Sequence, residues 1–232
     1  MKKIAYLLVL LMCFSCSDEE TALATPEPEV QKLPLVSKIT VLKNGALEEV
    51  FEFTYDAKNR MERLSYNEGI NAVQYTYNEA NLVTRVLFND NPNHTVDFHY
   101  NAQNIPTSYE HQSNGFLLPV TYDEATNFYT FGPNHYILNA IGDVKSTTRV
   151  HYSYNDKKGM FANVVGPNIM MINALIGLFV SAGSKAAMET VYNDDAQMFD
   201  IESTYNEAGY PVKVDYTGLL PLHPNRTFIL EY

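Results

Sequence analysis

The chain has 232 residues, 27 acidic against 16 basic side chains for a net charge of −11, and 17 Tyr and 12 Phe but no Trp. So acidic a chain, without a basic stripe, is a poor candidate for nucleic acid or for an anionic membrane surface. Its two cysteines, Cys13 and Cys16, cannot build a disulfide scaffold, so stability must come from a packed core.

Residues 1–16 read as a targeting segment: Lys2 and Lys3 form a basic start, and residues 4–14 an apolar core too short to span a membrane. Ser15-Cys16 resembles a lipobox, which makes Cys16 the acylated first residue of the mature chain. The alternatives are an ordinary secretory signal cut near Ser15 and a transmembrane anchor. Several acyl chains on one cysteine make a lasting anchor. Ser17-Asp18-Glu19-Glu20 resembles the acidic signal that directs such lipoproteins to the outer face of the outer membrane. Residues 17–34, with Thr25-Pro26-Glu27-Pro28-Glu29 at their centre, read as an acidic flexible tether. Cleavage before Cys16 takes Lys2 and Lys3 from the 16 basic residues, leaving 14 against 27 acidic and a net charge of −13. The acidity is also an ordinary route to solubility for an exported domain.

Residues 35–232 read as one β-domain built on a repeated frame. Tyr55-Asp56-Ala57-Lys58-Asn59-Arg60-Met61 returns as Tyr77-Asn78-Glu79-Ala80-Asn81-Leu82 and as Tyr100-Asn101-Ala102-Gln103-Asn104-Ile105. Further copies start at Tyr122, Tyr154 and Tyr205, and the first four tyrosines stand 22, 23 and 22 residues apart. Before each tyrosine, apolar and polar residues alternate (Phe51, Phe53, Tyr55; Val73, Tyr75, Tyr77; Val96, Phe98, Tyr100), the period of a half-buried antiparallel strand. The Asn or Asp that follows suits a tight turn, and Asn44-Gly45, Glu68-Gly69, Asn91-Pro92 and Asn114-Gly115 supply turns at the opposite end. Two alternating turn sets predict an all-β, antiparallel up-and-down meander of about 12–15 strands. So many strands must curl, into a half-open barrel or a strongly bent sheet. A membrane-spanning barrel is the rival reading. Against it stand polar outer faces such as Glu52 and Thr54, Gln74 and Thr76, or Asp97 and His99, and strands shorter than such a barrel needs. The terminal alternation Phe228, Leu230, Tyr232 fits either reading.

An apolar insertion at about 160–190 interrupts the meander. Its core, Ile169-Met170-Met171-Ile172-Asn173-Ala174-Leu175-Ile176-Gly177-Leu178-Phe179-Val180, is too short for a spanning helix. It is expected to be helical and to pack on the concave face of the sheet. A hydrophobic or lipid-binding site is the other reading; a membrane-surface helix would want more cations nearby than Lys185.

The stretch from Tyr55 to Met61 resembles a YD repeat of the Rhs type, with Asn59 where that pattern carries Gly. The whole domain is similar to uncharacterised Bacteroidetes outer-membrane lipoproteins that share a domain of unknown function with a porin-like fold. These have the lipoprotein signal, the tyrosine-turn hairpins and a stretch like Tyr154-Asn155-Asp156-Lys157-Lys158-Gly159-Met160-Phe161 before an apolar insertion. The resemblance implies a fold and an address, and carries no catalytic residues.

Chemistry-bearing motifs are few. No nucleophile elbow, zinc-protease helix, phosphate loop or dinucleotide fingerprint occurs. Ser184-Lys185 lacks the Ser-x-x-Lys spacing. Asp97 and His99 share a strand face but His94 has the opposite parity, so a polar outer face explains them better than a metal. Asn193-Asp194-Asp195 with Asp200 lacks the spacing of a calcium loop and reads as a solvated turn. Strand-end tyrosines could stack on sugars, although an inward position accounts for most of them. No catalytic residue, metal site or cofactor is assigned, and no ligand-binding residue can be named. The expected protein is a monomeric, lipid-anchored outer-membrane module exposed at the cell surface, held by Cys16. It would be a non-enzymatic binding or docking module for a glycan, peptide or hydrophobic ligand, with no nucleic-acid partner. The alternatives are a structural component of an envelope assembly and, last, an enzyme with an unrecognised site.

Overall fold

The computed structural model describes residues 33–166, 184–194 and 196–232. These form sixteen strands: β1 (Lys38–Lys43), β2 (Ala46–Tyr55), β3 (Met61–Tyr66), β4 (Asn71–Tyr77), β5 (Val83–Phe88), β6 (Thr95–Tyr100), β7 (Pro106–His111) and β8 (Phe116–Asp123). The second half comprises β9 (Phe128–Phe131), β10 (Asn134–Leu138), β11 (Val144–Thr147), β12 (Val150–Lys158), β13 (Ala186–Asn193), β14 (Ala196–Tyr205), β15 (Pro211–Gly218) and β16 (Arg226–Glu231). Each strand pairs with its sequence neighbours, and β1 pairs with β16 from Lys38↔Glu231 to Lys43↔Arg226, which closes the barrel.

The tyrosine frame sets one rim. In β2, β4, β6 and β14 the ladder slips its register immediately before the tyrosine, between Thr54 and Tyr55, Thr76 and Tyr77, His99 and Tyr100, and Thr204 and Tyr205. Such a bulge bends the strand. A five-residue turn follows, in which the first N–H reaches the fifth carbonyl and the fourth N–H returns to the first: 3.0 Å in both bonds for Asp56, Asn59 and Arg60. The first side chain completes it. Asn101 Oδ1 accepts from the N–H of Gln103 and of Ile105, each at 3.0 Å, as Asn206 does from Ala208 and Tyr210. The fourth residue is left-handed, with φ of 60° at Asn59, 62° at Asn81, 61° at Asn104 and 77° at Gly209. Only Gly and Asn or Asp visit that region at low cost, hence the spacing.

Strand alternation decides what lies within. Phe51, Phe53, Leu64, Val73, Tyr75, Val86, Phe98, Tyr109, Phe131, Val191, Tyr216 and Phe228 are all buried and belong to one hydrophobic cluster. A sixteen-strand barrel would ordinarily enclose water. Here its interior is lined by buried, mutually packed aromatic and aliphatic side chains. The outer face is polar and ion-paired, with Arg63–Asp90 at 2.9 Å, Arg85–Asp97 at 2.5 Å and Arg226–Glu48 at 2.8 Å. A lipid-facing wall would bury such charges in hydrocarbon at about 2–4 kcal/mol for each midplane Arg or Lys.

Two expectations need correction. The sheet is neither half-open nor merely bent, and it has sixteen strands, not 12–15. The shortfall lies at β9, β10 and β11, strands of four or five residues. The turn at residues 139–143 has the same bonds as the others, with Gly142 left-handed at φ 90°, but Leu138 stands where the tyrosine would be. The expected helical insertion at 160–190 is also overturned. No helix occurs among the described residues; 160–166 form turns, and 186–190 already belong to β13. The apolar run at 169–180 lies outside the described residues.

Candidate functional site

The barrel has two unlike ends. At the tyrosine-turn end stand the start of β1, the end of β16 and every turn from an even to an odd strand. Here residues 159–166 cross the mouth. Met160, Phe161 and Val164 are buried in the core cluster, and the Phe161 ring meets Phe53 edge-on at 5.4 Å. The crossing chain is tied on both sides. Val165 N–H donates to Asn59 carbonyl at 2.9 Å, and Asn163 Nδ2 donates to Pro34 carbonyl at 2.7 Å and to Tyr210 Oη at 2.9 Å. Gly159 lets the crossing begin: a Cβ there would lie 2.6 Å from the Ala186 carbonyl oxygen and closer still to that of Ser184. On the far side of the crossing, β13 is seated by Asp143, whose carboxylate accepts from Lys185 N–H at 2.8 Å and Ala186 N–H at 3.0 Å. Burial pushes Asp143 above the usual carboxylate range, while these two N–H groups pull it back in part.

The tyrosines, candidates for sugar stacking, are occupied otherwise. Tyr55 Oη donates to Val36 carbonyl at 2.7 Å, Tyr77 to Met61 at 2.6 Å, Tyr100 to Val83 at 2.5 Å, Tyr154 to Val144 at 2.6 Å and Tyr232 to Pro211 at 2.9 Å. Four of these acceptors are the first residue after a tyrosine-type turn of the preceding unit. The hydroxyls therefore stitch neighbouring hairpins at one rim. Burial pushes the hydroxyls of all five well above the ordinary tyrosine range. A small cavity of about 10 Å³ lies behind the crossing chain, lined by Lys158, Ser184, Ser203 and Tyr216 among others.

The other candidates are scattered. Asp97 accepts from Arg85 and from Gln112 Nε2 at 2.9 Å, and Arg85 holds its carboxyl below the usual range. His99 Nε2 lies 4.0 Å from Glu110, on the same outer wall. No group of three or more metal-ligating side chains occurs among the described residues. Ser184 Oγ donates to Ala186 carbonyl, so Ser184 and Lys185 form no nucleophile–base pair. Asp200 accepts from Gln197, and Asp194 carries a left-handed turn with φ 49°. Cys16 and Asp195 lie outside the described residues.

The distal end carries a feature that sequence reading missed. Leu47, Ile70, Phe116, Leu117 and Leu222 project from four different hairpins there, each at least 60% exposed. Beside them, on the wall of β1 to β3, runs a cleft of about 540 Å³ lined by Lys38, Leu47, Glu49, Glu52, Tyr66 and Glu68 among others. Glu52 and Glu68 have no ion-pair partner among the described residues. The available signal was apolar residues directly beside turn residues, as in Asn114-Gly115-Phe116-Leu117 and Leu219-Leu220-Pro221-Leu222.

No family model matches the chain, and no curated protein matches it. Among solved structures it is similar to a porin-like protein from Bacteroides vulgatus ATCC 8482, at 10% identity and a TM-score of 0.44, over 85% of this chain and 98% of that one. A porin-like protein from Bacteroides uniformis ATCC 8492 is 12% identical with a TM-score of 0.35, over 84% of this chain and 97% of that one. A third, the TcdB2-TccC3-TEV structure, is 12% identical with a TM-score of 0.28, over 80% of this chain but 9% of that one.

Proposed function

We propose that this protein is an outer-membrane lipoprotein, acylated at Cys16, whose barrel is a non-enzymatic docking module exposed at the cell surface. The polar, ion-paired outer wall carries the reading: such a barrel cannot sit in lipid, so membrane attachment needs a separate device. Residues 1–16 serve as the export signal, 17–34 as the tether and 35–232 as the barrel, a monomer whose tyrosine turns are hairpins of the YD type. The binding role falls to the distal rim. Its apolar tips beside a carboxylate-lined cleft suit a partner segment with apolar side chains flanked by Lys or Arg. This supports docking of a protein or peptide, in an envelope assembly, over glycan stacking, because the rim tyrosines are bonded to backbone.

The test is Cys16→Ala. Wild-type protein should fractionate with the outer membrane and carry an acyl mass on Cys16, and the variant should not. A Cys16→Ala protein that stays with the membrane sinks the anchor.

A further inference from the structure

Thirteen basic side chains lie among the described residues, and seven of them sit in ion pairs: Lys38, Lys43, Arg60, Arg63, Arg85, Lys213 and Arg226. Six form no ion pair among the described residues: Lys58, Lys145, Arg149, Lys157, Lys158 and Lys185, the last close enough to act on the buried Asp143. Five of these six, all but Arg149, stand at the tyrosine-turn end. Four are gathered by backbone contacts. Lys158 pairs with Ala186 across β12 and β13, Gly159 N–H donates to Lys185 carbonyl at 2.7 Å, and Asp143, two residues before Lys145, holds Lys185 N–H. Against these four lysines the same arc carries Asp156, Glu207 and the buried Asp143, and the adjoining β8–β9 turn adds Asp123 and Glu124, so this side is near charge balance in a strongly acidic protein. Two of the lysines also lie over rings, Lys158 at 3.8 Å from the Tyr210 centroid and Lys157 at 5.0 Å from that of Tyr205. The arc has an apolar tip as well: Ile141, in the turn before Lys145, is half exposed, as is Leu33.

We propose that this end is a membrane-docking face, on which Lys145, Lys157, Lys158 and Lys185 contact phosphate headgroups while Ile141 inserts among them. The proposal deepens the anchoring at Cys16 and rests on it. Cys16 is seventeen residues before Leu33, at most about 60 Å of extended chain, and Leu33 opens the barrel at this end. A tether of that reach brings the barrel to the surface but leaves its orientation free. Charge then selects the face, because phosphate attracts unpaired lysines and repels the acidic cleft at the far end. Apolar tips flanked by lysines are the usual pattern of an interfacial contact.

Amine footprinting tests it on the full chain. The protein is reconstituted into vesicles of phosphatidylcholine alone and of phosphatidylcholine mixed equally with phosphatidylglycerol, then acetylated and read lysine by lysine by mass spectrometry. Lys145, Lys157, Lys158 and Lys185 should react several-fold more slowly on the anionic vesicles, with relief at high salt, while Lys43 and Lys213 stay unchanged. Charge reversal at the exposed Lys145→Glu should weaken the protection of Lys157, Lys158 and Lys185 without lowering the melting temperature. Equal reactivity of the four lysines on both vesicles, or protection of Lys43 instead, overturns the proposal. The acyl mass on Cys16, read from the same sample, reports the anchor separately. If Cys16 is bare, the footprint at saturating vesicles still decides the face.

Discussion

The hydroxyl of Tyr77, at the end of β4, donates to the carbonyl of Met61, at the start of β3, at 2.6 Å. Met61 opens β3 and Tyr77 closes β4, adjacent antiparallel strands, so the bond ties the tyrosine turn before β3 to the one after β4. Tyr77→Phe removes the donor and leaves a part-buried carbonyl unpaired, so it should cost about 1–3 kcal/mol. Tyr75, two residues earlier, provides the contrast: its hydroxyl is buried without a hydrogen-bond partner among the described residues. Tyr75→Phe should be neutral or raise stability by up to about 1 kcal/mol. Urea midpoints of the two variants check both signs. Equal effects would mean that the tyrosine-to-carbonyl bond contributes nothing.

The turn at residues 139–143 should depend on Asn139 as its copies depend on their first residue. Asn139 Oδ1 accepts from Ile141 N–H at 3.1 Å and Asp143 N–H at 2.9 Å. Asn139→Ala should lower stability by about 1–2 kcal/mol, the loss typical of a side-chain oxygen that satisfies backbone donors at a helix cap. Asn101→Ala should match it within error. A large difference between the two would show that the Leu138 copy is not energetically the same turn.

Gly159→Ala should be among the most damaging single changes in the described chain. The added methyl meets two backbone carbonyls, of Ser184 and Ala186, and neither can swing aside as a flexible side chain would. Overpacking of this kind costs about 1–3 kcal/mol or more. Gly209→Ala meets nothing within 4 Å but sits at φ 77°, so only the left-handed strain of about 1–2 kcal/mol applies. Thermal melts of the pair should place Gly159→Ala lower. The reverse order would mean that the crossing segment can shift to make room.

Two opposite pH dependences should coexist. Arg85 holds Asp97 below its ordinary value, and Arg226 does the same for Glu48. Groups lowered on folding contribute stability above their unfolded pKa, and it fades as pH falls through the folded one. Asp143 is raised by burial, so its contribution is full below the ordinary carboxylate value, about 3.9, and is lost as pH rises through the folded pKa. The stability of wild type relative to Asp143→Asn should therefore fall as pH rises from about 4 towards neutrality. Denaturant midpoints of both proteins across that range decide it. A difference that grows with pH would mean that the two N–H bonds outweigh the burial of the charge.

Replacing Phe116 and Leu117 by Ser should leave the barrel intact, since both side chains are more than half exposed. The expected change in melting temperature is small, within about 0.5 kcal/mol of stability. Binding of a peptide that alternates Leu with Lys should weaken by tenfold or more, as read by calorimetry. An unchanged affinity removes these two residues from the docking surface.

Period-two alternation and the tyrosine frame were enough to specify strands, turns, the up-and-down order and the polar outer wall, because each is set by contacts within a few residues. Asn and Gly at fixed offsets report left-handed φ directly, so five rim turns obey one local rule, and four were legible from their tyrosines; the copies expected at Tyr122 and Tyr154 depart from it, since Asn127 is the left-handed residue in one and residues 155–158 continue β12 in the other. The turn at 139–143 was not, since Leu138 occupies the tyrosine position and the bond pattern, not the side chain, defines the copy. Closure was decided only in three dimensions: nothing in β1 or β16 marks them as partners, and their pairing spans nearly the whole chain. The two unlike ends were also beyond reach of the linear sequence. Lys145, Lys157 and Lys185 become neighbours only because Asp143 and Gly159 seat the strand after the crossing, and Leu47, Ile70, Phe116 and Leu222 meet at one rim only because the hairpins close into a barrel. Charge and apolar surface act through space, and the fold alone sets which residues share it.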